Sequence, residues 1–132
     1  MNQTDAQPTV LALAADMIFS SKISGAAKAV GTEVRLARSA AQLIELTGQT
    51  APSLIILDLD TRGLDIAGTI QALRSEAPAS HILAYVSHVR TDAITEARSA
   101  GASRVLARSA FVTSLLEILR VAGHAPEKGD PA

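Results

Sequence analysis

Short runs of consecutive apolar residues alternate along the chain with longer stretches whose apolar positions recur every three or four residues. TVLALAA (9–15) is apolar throughout and short enough for a strand buried on both faces. In DMIFSSKISGAAKAV (16–30) the positions of Ile18, Ile23, Ala26, Ala27 and Val30 predict a helix, and Gly31 is placed to end it. EVRLA (33–37) alternates as a second strand would. Ser39 caps a helix over SAAQLIELTG, which the pattern ends at Gly48. After Pro52 comes SLIILDLD (53–60), an apolar run that closes on Asp58. Ile66, Ile70 and Leu73 share one face of a helix over 65–76, closed by Pro78. HILAYV (81–86) is a fourth strand, and Thr91 or Asp92 opens a helix that Gly101 stops. RVLA (104–107) is a short fifth strand. FVTSLLEILRVA (111–122), with Leu115, Ile118, Leu119 and Ala122 in helical register, is the last helix.

Five strand–helix units with strands apolar on both faces predict an α/β fold, a parallel sheet covered by helices on each side. The functional edge of such a sheet lies at the carboxyl ends of its strands, which is where Asp58 emerges. The expected organisation is a flexible N-terminus over 1–8, one domain over 9–122 and a disordered tail over 123–132, where prolines, charges and glycine gather.

Composition narrows the function classes. With one Tyr, two Phe and no Trp, the core is expected to be aliphatic, and no aromatic platform for nucleic-acid bases is available. A net charge of −1 without a basic stripe argues against nucleic-acid binding. The absence of Cys excludes thiolate metal sites and cysteine nucleophiles. No signal pattern and no membrane-spanning apolar run is present, so a cytoplasmic protein is expected. His81, His88 and His124 lack metal-ligand spacing.

LDLD (57–60), the GLD of DTRGLD (63–65) and ARSAGA (97–102), taken with the five-unit order, resemble the response-regulator receiver domain family, the CheY-like domains. The resemblance covers roughly residues 8–122. It implies a flavodoxin-like three-layer sandwich with strand order 2-1-3-4-5, a phosphoryl group accepted on Asp58 from a histidine kinase, and Mg²⁺. The departures from the family pattern are concentrated at the chemistry. The acidic pair that holds Mg²⁺ at the end of the first strand is replaced by Ala14 and Ala15, with Asp16 the next residue. Counting back from AGA, the Thr or Ser of the fourth strand falls on Val86, with Ser87 one place later. The Lys–Pro pair after the fifth strand is Arg108–Ser109, the loop proline is Arg62, and the aromatic switch position is Val105. Without the proline a cis bond at 108–109 costs about 3–4 kcal/mol, so trans is expected.

By this resemblance Ser87 and Arg108 are the candidates for a phosphate pocket. Asp16, Asp58 and Asp60 are the carboxylates left to a metal, and they make a weak site. Asp58 has two readings: a phosphoacceptor, or an aspartate held by Arg108 or by loop N–H groups. Asp16 reads as a helix cap, Asp60 as a solvated loop residue offering at most its carbonyl, and Ser87 as a turn or capping residue. The favoured function is a stand-alone pseudo-receiver, not an enzyme, that signals by protein–protein contact and needs no cofactor. The alternative is a working phosphoacceptor with Mg²⁺. A small anion held by Arg62 and Arg108 is a third. The expected partner is a histidine kinase or another signalling protein, or a second copy of the chain. The surface expected to meet it is formed by the fourth helix, fifth strand and fifth helix, with Ile94, Arg98, Val105, Leu116 and Arg120.

Overall fold

The computed structural model describes residues 9–87 and 90–123. The expectations for the N-terminus, the tail from 124 onward, His88 and His124 fall outside the described residues. The elements follow in the order β1 (Val10–Leu13), α1 (Met17–Val30), β2 (Val34–Leu36), α2 (Ala40–Thr50), β3 (Leu54–Asp58), α3 (Ile66–Glu76), β4 (His81–Val86), α4 (Thr91–Ala100), β5 (Arg104–Ala107) and α5 (Arg108–Ala122). All strand pairs are parallel, and the sheet order is β2-β1-β3-β4-β5.

The caps come from the residues that the pattern singles out. Asp16 accepts a hydrogen bond from the Phe19 amide at 2.9 Å, and Ser39 accepts one from the Gln42 amide at 3.1 Å. Gly31 ends α1 in the left-handed region, φ 74°. Two helix boundaries differ from expectation, and β1 and β2 are shorter than the apolar runs that predict them. Helix α2 runs through Gly48 to Thr50 and ends on Ala51, which takes up the left-handed conformation at φ 49°. A glycine inside a helix costs only about 1 kcal/mol, and burial of Leu43 and Thr47 holds the helix past it. Helix α5 starts at Arg108, directly after β5 and three residues before the expected Phe111. No peptide bond among the described residues is cis.

Strand alternation divides the core. Leu11, Leu13, Ile55, Leu57, Ile82, Ala84 and Val86 point to the face covered by α2, α3 and α4. Val10, Ala12, Leu54, Ile56, Leu83 and Tyr85 point to the face covered by α1 and α5. Each fully buried Leu or Ile contributes about 1.5–3 kcal/mol, which makes both faces strongly stabilising and fixes the strand registers. The Arg74 guanidinium donates to the carbonyls of Pro78, Ser80 and Gly101, tying α3 to the loops before β4 and β5. No helix among the described residues is long and apolar enough to cross a membrane.

Candidate functional site

The carboxyl ends of β1, β3, β4 and the start of α5 meet at one edge of the sheet. Asp58 closes β3 there with 0% of its surface exposed. By alternation it shares the face of Ile56, the side covered by α1 and α5. Each oxygen of its carboxylate is engaged by a loop amide. Oδ2 accepts from the Ala15 N–H and Oδ1 from the Asp60 N–H, both at 2.9 Å. Hydrogen bonds to a charged acceptor are each worth about 1.5–3 kcal/mol, so two of them hold Asp58 firmly.

Asp60 is the centre of a second cluster. Its Oδ2 accepts from both the Ser87 amide (2.9 Å) and the Ser87 hydroxyl (2.8 Å). Its Oδ1 lies 3.1 Å from Arg90 Nη1, and its Oδ2 lies 3.6 Å from Arg108 Nη2. Burial alone raises the Asp60 pKa, but the two bonds from Ser87 and the charge and hydrogen bond of Arg90 outweigh it. The net effect holds the carboxyl below its ordinary range. The one carboxylate thus joins the β3–α3 loop, the start of the β4–α4 loop and the first residue of α5.

An aromatic stack supports the edge from below. All three aromatic residues of the chain take part. Tyr85 lies 4.3 Å from Phe111 and 5.4 Å from Phe19, centroid to centroid. The Arg108 guanidinium lies over the Phe19 ring at 4.6 Å, where the ring face attracts a cation. The Tyr85 hydroxyl is buried beside the Asp58 carboxylate and makes no well-aligned hydrogen bond. Burial first, and then the neighbouring Asp58 charge, push its ionisation far above the ordinary phenol value. Beside this stack a cavity of about 650 Å³ opens between α1 and α5, lined among others by Lys22, Ser87, Arg108, Ser109 and Thr113.

Several solved response-regulator structures share this shape. The Vibrio cholerae chemotaxis protein CheY4 superposes with a TM-score of 0.75 at 20% identity, over 89% of this chain and 99% of that one. The signal receiver domain of the putative response regulator NarL from Mycobacterium tuberculosis gives 0.72 at 22% identity, over 90% and 98%. The chain has the CheY-like receiver fold. A Burkholderia pseudomallei response regulator, solved with a phosphorylated aspartic acid, calcium ion and citrate, superposes at 0.74 with 23% identity, over 85% of this chain and 66% of that one. In sequence, the chain is 31% identical over 97 residues to the transcriptional activator protein ExaE of Pseudomonas putida, covering 72% of this chain and 45% of ExaE. The chain therefore spans less than half the length of that curated relative. No protein-family model matches the sequence.

Set on the receiver fold, the expected site residues fall into place unevenly. Ser87 continues the alternation of Leu83 and Tyr85 and faces the same side as Asp58, whereas Val86 points to the other core. At the end of β4 it is therefore Ser87, not Val86, that stands on the Asp58 side of the sheet. The Asp58–Arg108 pair does not form. Asp58 is held by loop amides, and Arg108 turns to Asp60 and the Phe19 ring. Asp60 is not a solvated loop residue but the hub of the cluster. Asp16 spends its carboxylate on the α1 cap, and Arg62 lies exposed outside the cluster. Arg90 and Tyr85 were not singled out from sequence. Tyr85 left a trace there, as the sole tyrosine on the strand beside Asp58; the register pairs the two directly.

The donor set does not suit the Mg²⁺ that the fold implies. Among the described residues no three His, Asp or Glu side chains gather to hold a metal. Asp58 faces N–H donors on both oxygens, and Asp60 faces two guanidinia, where a divalent cation needs free oxygens.

Proposed function

We propose that the chain is a receiver-fold signalling module that acts by docking to a protein partner and does so without Mg²⁺-dependent phosphorylation of Asp58. The observation that carries this reading is the occupation of both Asp58 oxygens by the amides of Ala15 and Asp60. A carboxylate that attacks phosphorus needs an accessible oxygen and a cation to gather the phosphoryl charge. Here Asp58 is 0% exposed, each of its oxygens already accepts one amide N–H, and the residues that precede Asp16 are alanines. No catalytic activity is assigned to the module.

The docking surface on this reading is the α4–β5–α5 side. Leu116 is 53% exposed there, and Arg98 and Arg120 are exposed as well. Val105 is buried and Ile94 packs against the core, so these two shape the surface from beneath and do not form it. A kinase, another signalling protein and a second copy of the chain are the candidate partners.

One observation favours the alternative, a working phosphoacceptor: the Ser87 hydroxyl and the Arg108 cation stand on the Asp58 side of the sheet. Incubation with a small acyl-phosphate donor and Mg²⁺, followed by intact-mass spectrometry, separates the readings. Unmodified protein supports docking without phosphorylation. A single phosphoryl adduct that is absent from Asp58→Asn overturns it.

A further inference from the structure

We infer that Ser87, Arg90 and Arg108 form an oxyanion receptor whose resident ligand is the chain's own Asp60 carboxylate. An amide N–H, a hydroxyl and two guanidinia from different segments converge on one carboxylate, at 2.9, 2.8, 3.1 and 3.6 Å. This is the donor set that a free phosphate or carboxylate requires: directional N–H and O–H groups with cationic charge behind them. The cluster is only partly exposed, with Asp60 at 17% and the two arginines at 39% and 36%. The carboxylate is delivered by its own backbone, so no ligand has to be captured from solution. The Asp60 amide is at the same time a donor to Asp58. The residue therefore fills the receptor with its side chain and occupies the candidate phosphoacceptor with its main chain.

The consequence is a receiver edge held in one state. Ser87 begins the β4–α4 connection, Arg90 precedes α4, and Arg108 begins α5. All three are drawn towards β3 by an anion that is always present. The docking side bounded by α4 and α5 is then set without an external signal. This consequence rests on the proposed function above; the receptor itself does not, because it is tested without Mg²⁺, phosphodonor or partner.

The test empties the receptor and refills it. Asp60→Gly removes the carboxylate and leaves a space in which acetate replaces the missing group and inorganic phosphate exceeds its charge. Backbone ¹H–¹⁵N spectra of wild type and variant are titrated with each anion at ionic strength matched by chloride. In Asp60→Gly the Ser87 amide signal should lose its charge-bonded shift and recover it saturably with either anion. At ten times the Kd the melting temperature should rise by roughly 3–6 °C. Wild type should not respond. If Asp60→Gly does not fold, Asp60→Asn keeps the side-chain volume and removes the charge. Phosphate should then titrate the Arg108 side-chain signals of that variant and not those of wild type. Equal responses in wild type and variant, or none in the variant, overturn the inference.

Discussion

Asp58→Asn is the substitution whose sign separates a satisfied aspartate from a poised one. In a site crowded with carboxylates, neutralising one relieves repulsion and stabilises the fold. Here the two residues before Asp16 are alanines, and both Asp58 oxygens accept backbone N–H bonds at 2.9 Å. Asparagine keeps one acceptor and sets an NH₂ group against the other N–H. One charge-assisted bond is lost and two donors are brought together, at a cost of about 1.5–3 kcal/mol. Asp58→Ala removes both bonds and should cost more. For a domain of this size each kcal/mol moves the melting temperature by about 3–5 °C, so Asp58→Asn should melt roughly 5–15 °C lower. Thermal unfolding by circular dichroism at neutral pH reads this directly. An Asp58→Asn protein as stable as wild type, or more stable, refutes the reasoning.

Further expectations follow from individual contacts. Tyr85→Phe deletes a buried hydroxyl that stands beside Asp58 without a well-aligned hydrogen bond, and should leave stability unchanged or raise it by up to about 1 kcal/mol; a loss above that value shows the hydroxyl bonded to Asp58. Ala51→Gly relieves a left-handed alanine at φ 49° and should stabilise by about 0.5–1 kcal/mol in denaturant unfolding. The Asp60 pKa is lowered on folding, so its contribution is complete above the unfolded carboxylate value near 3.8 and disappears as pH falls through the folded value. Asp60→Asn should therefore be less stable than wild type at neutral pH, with the difference shrinking in urea titrations from about pH 4 downward. The His81 pKa is lowered by burial and by the charges of Arg104 and Arg74, so the unfolded chain binds its proton first. Stability should fall below about pH 6.5, and His81→Gln should lessen that fall in the same titrations.

The fold was legible because an apolar strand alternates with an amphipathic helix, and α1, α2 and α3 carry a side-chain cap as well. Asp16, Ser39 and Gly31 act where the pattern places them. The helix boundaries that moved lie at Gly48, where burial outweighed a local breaker, and at Arg108, where the helix starts directly after β5. The site was less legible because it depends on alternation and reach. Strand alternation puts Ser87 on the Asp58 face and turns Val86 to the opposite core. The length of the arginine side chains lets Arg90 and Arg108 meet at Asp60, and no spacing in the sequence marks that meeting point. The aromatic stack was hidden for a related reason. Phe19, Tyr85 and Phe111 lie far apart in sequence, and their scarcity argued for an aliphatic core until the strands brought them together.

The central claim is that Asp58 is occupied by its own backbone and does not take a phosphoryl group. Its most direct test is a ¹H–¹⁵N spectrum of the full chain before and after addition of Mg²⁺ and beryllofluoride, a mimic of the bound phosphoryl group. The amides of Ala15, Asp60 and Ser87 should stay where they are. Saturable shifts at those amides in wild type, lost in Asp58→Asn, contradict it.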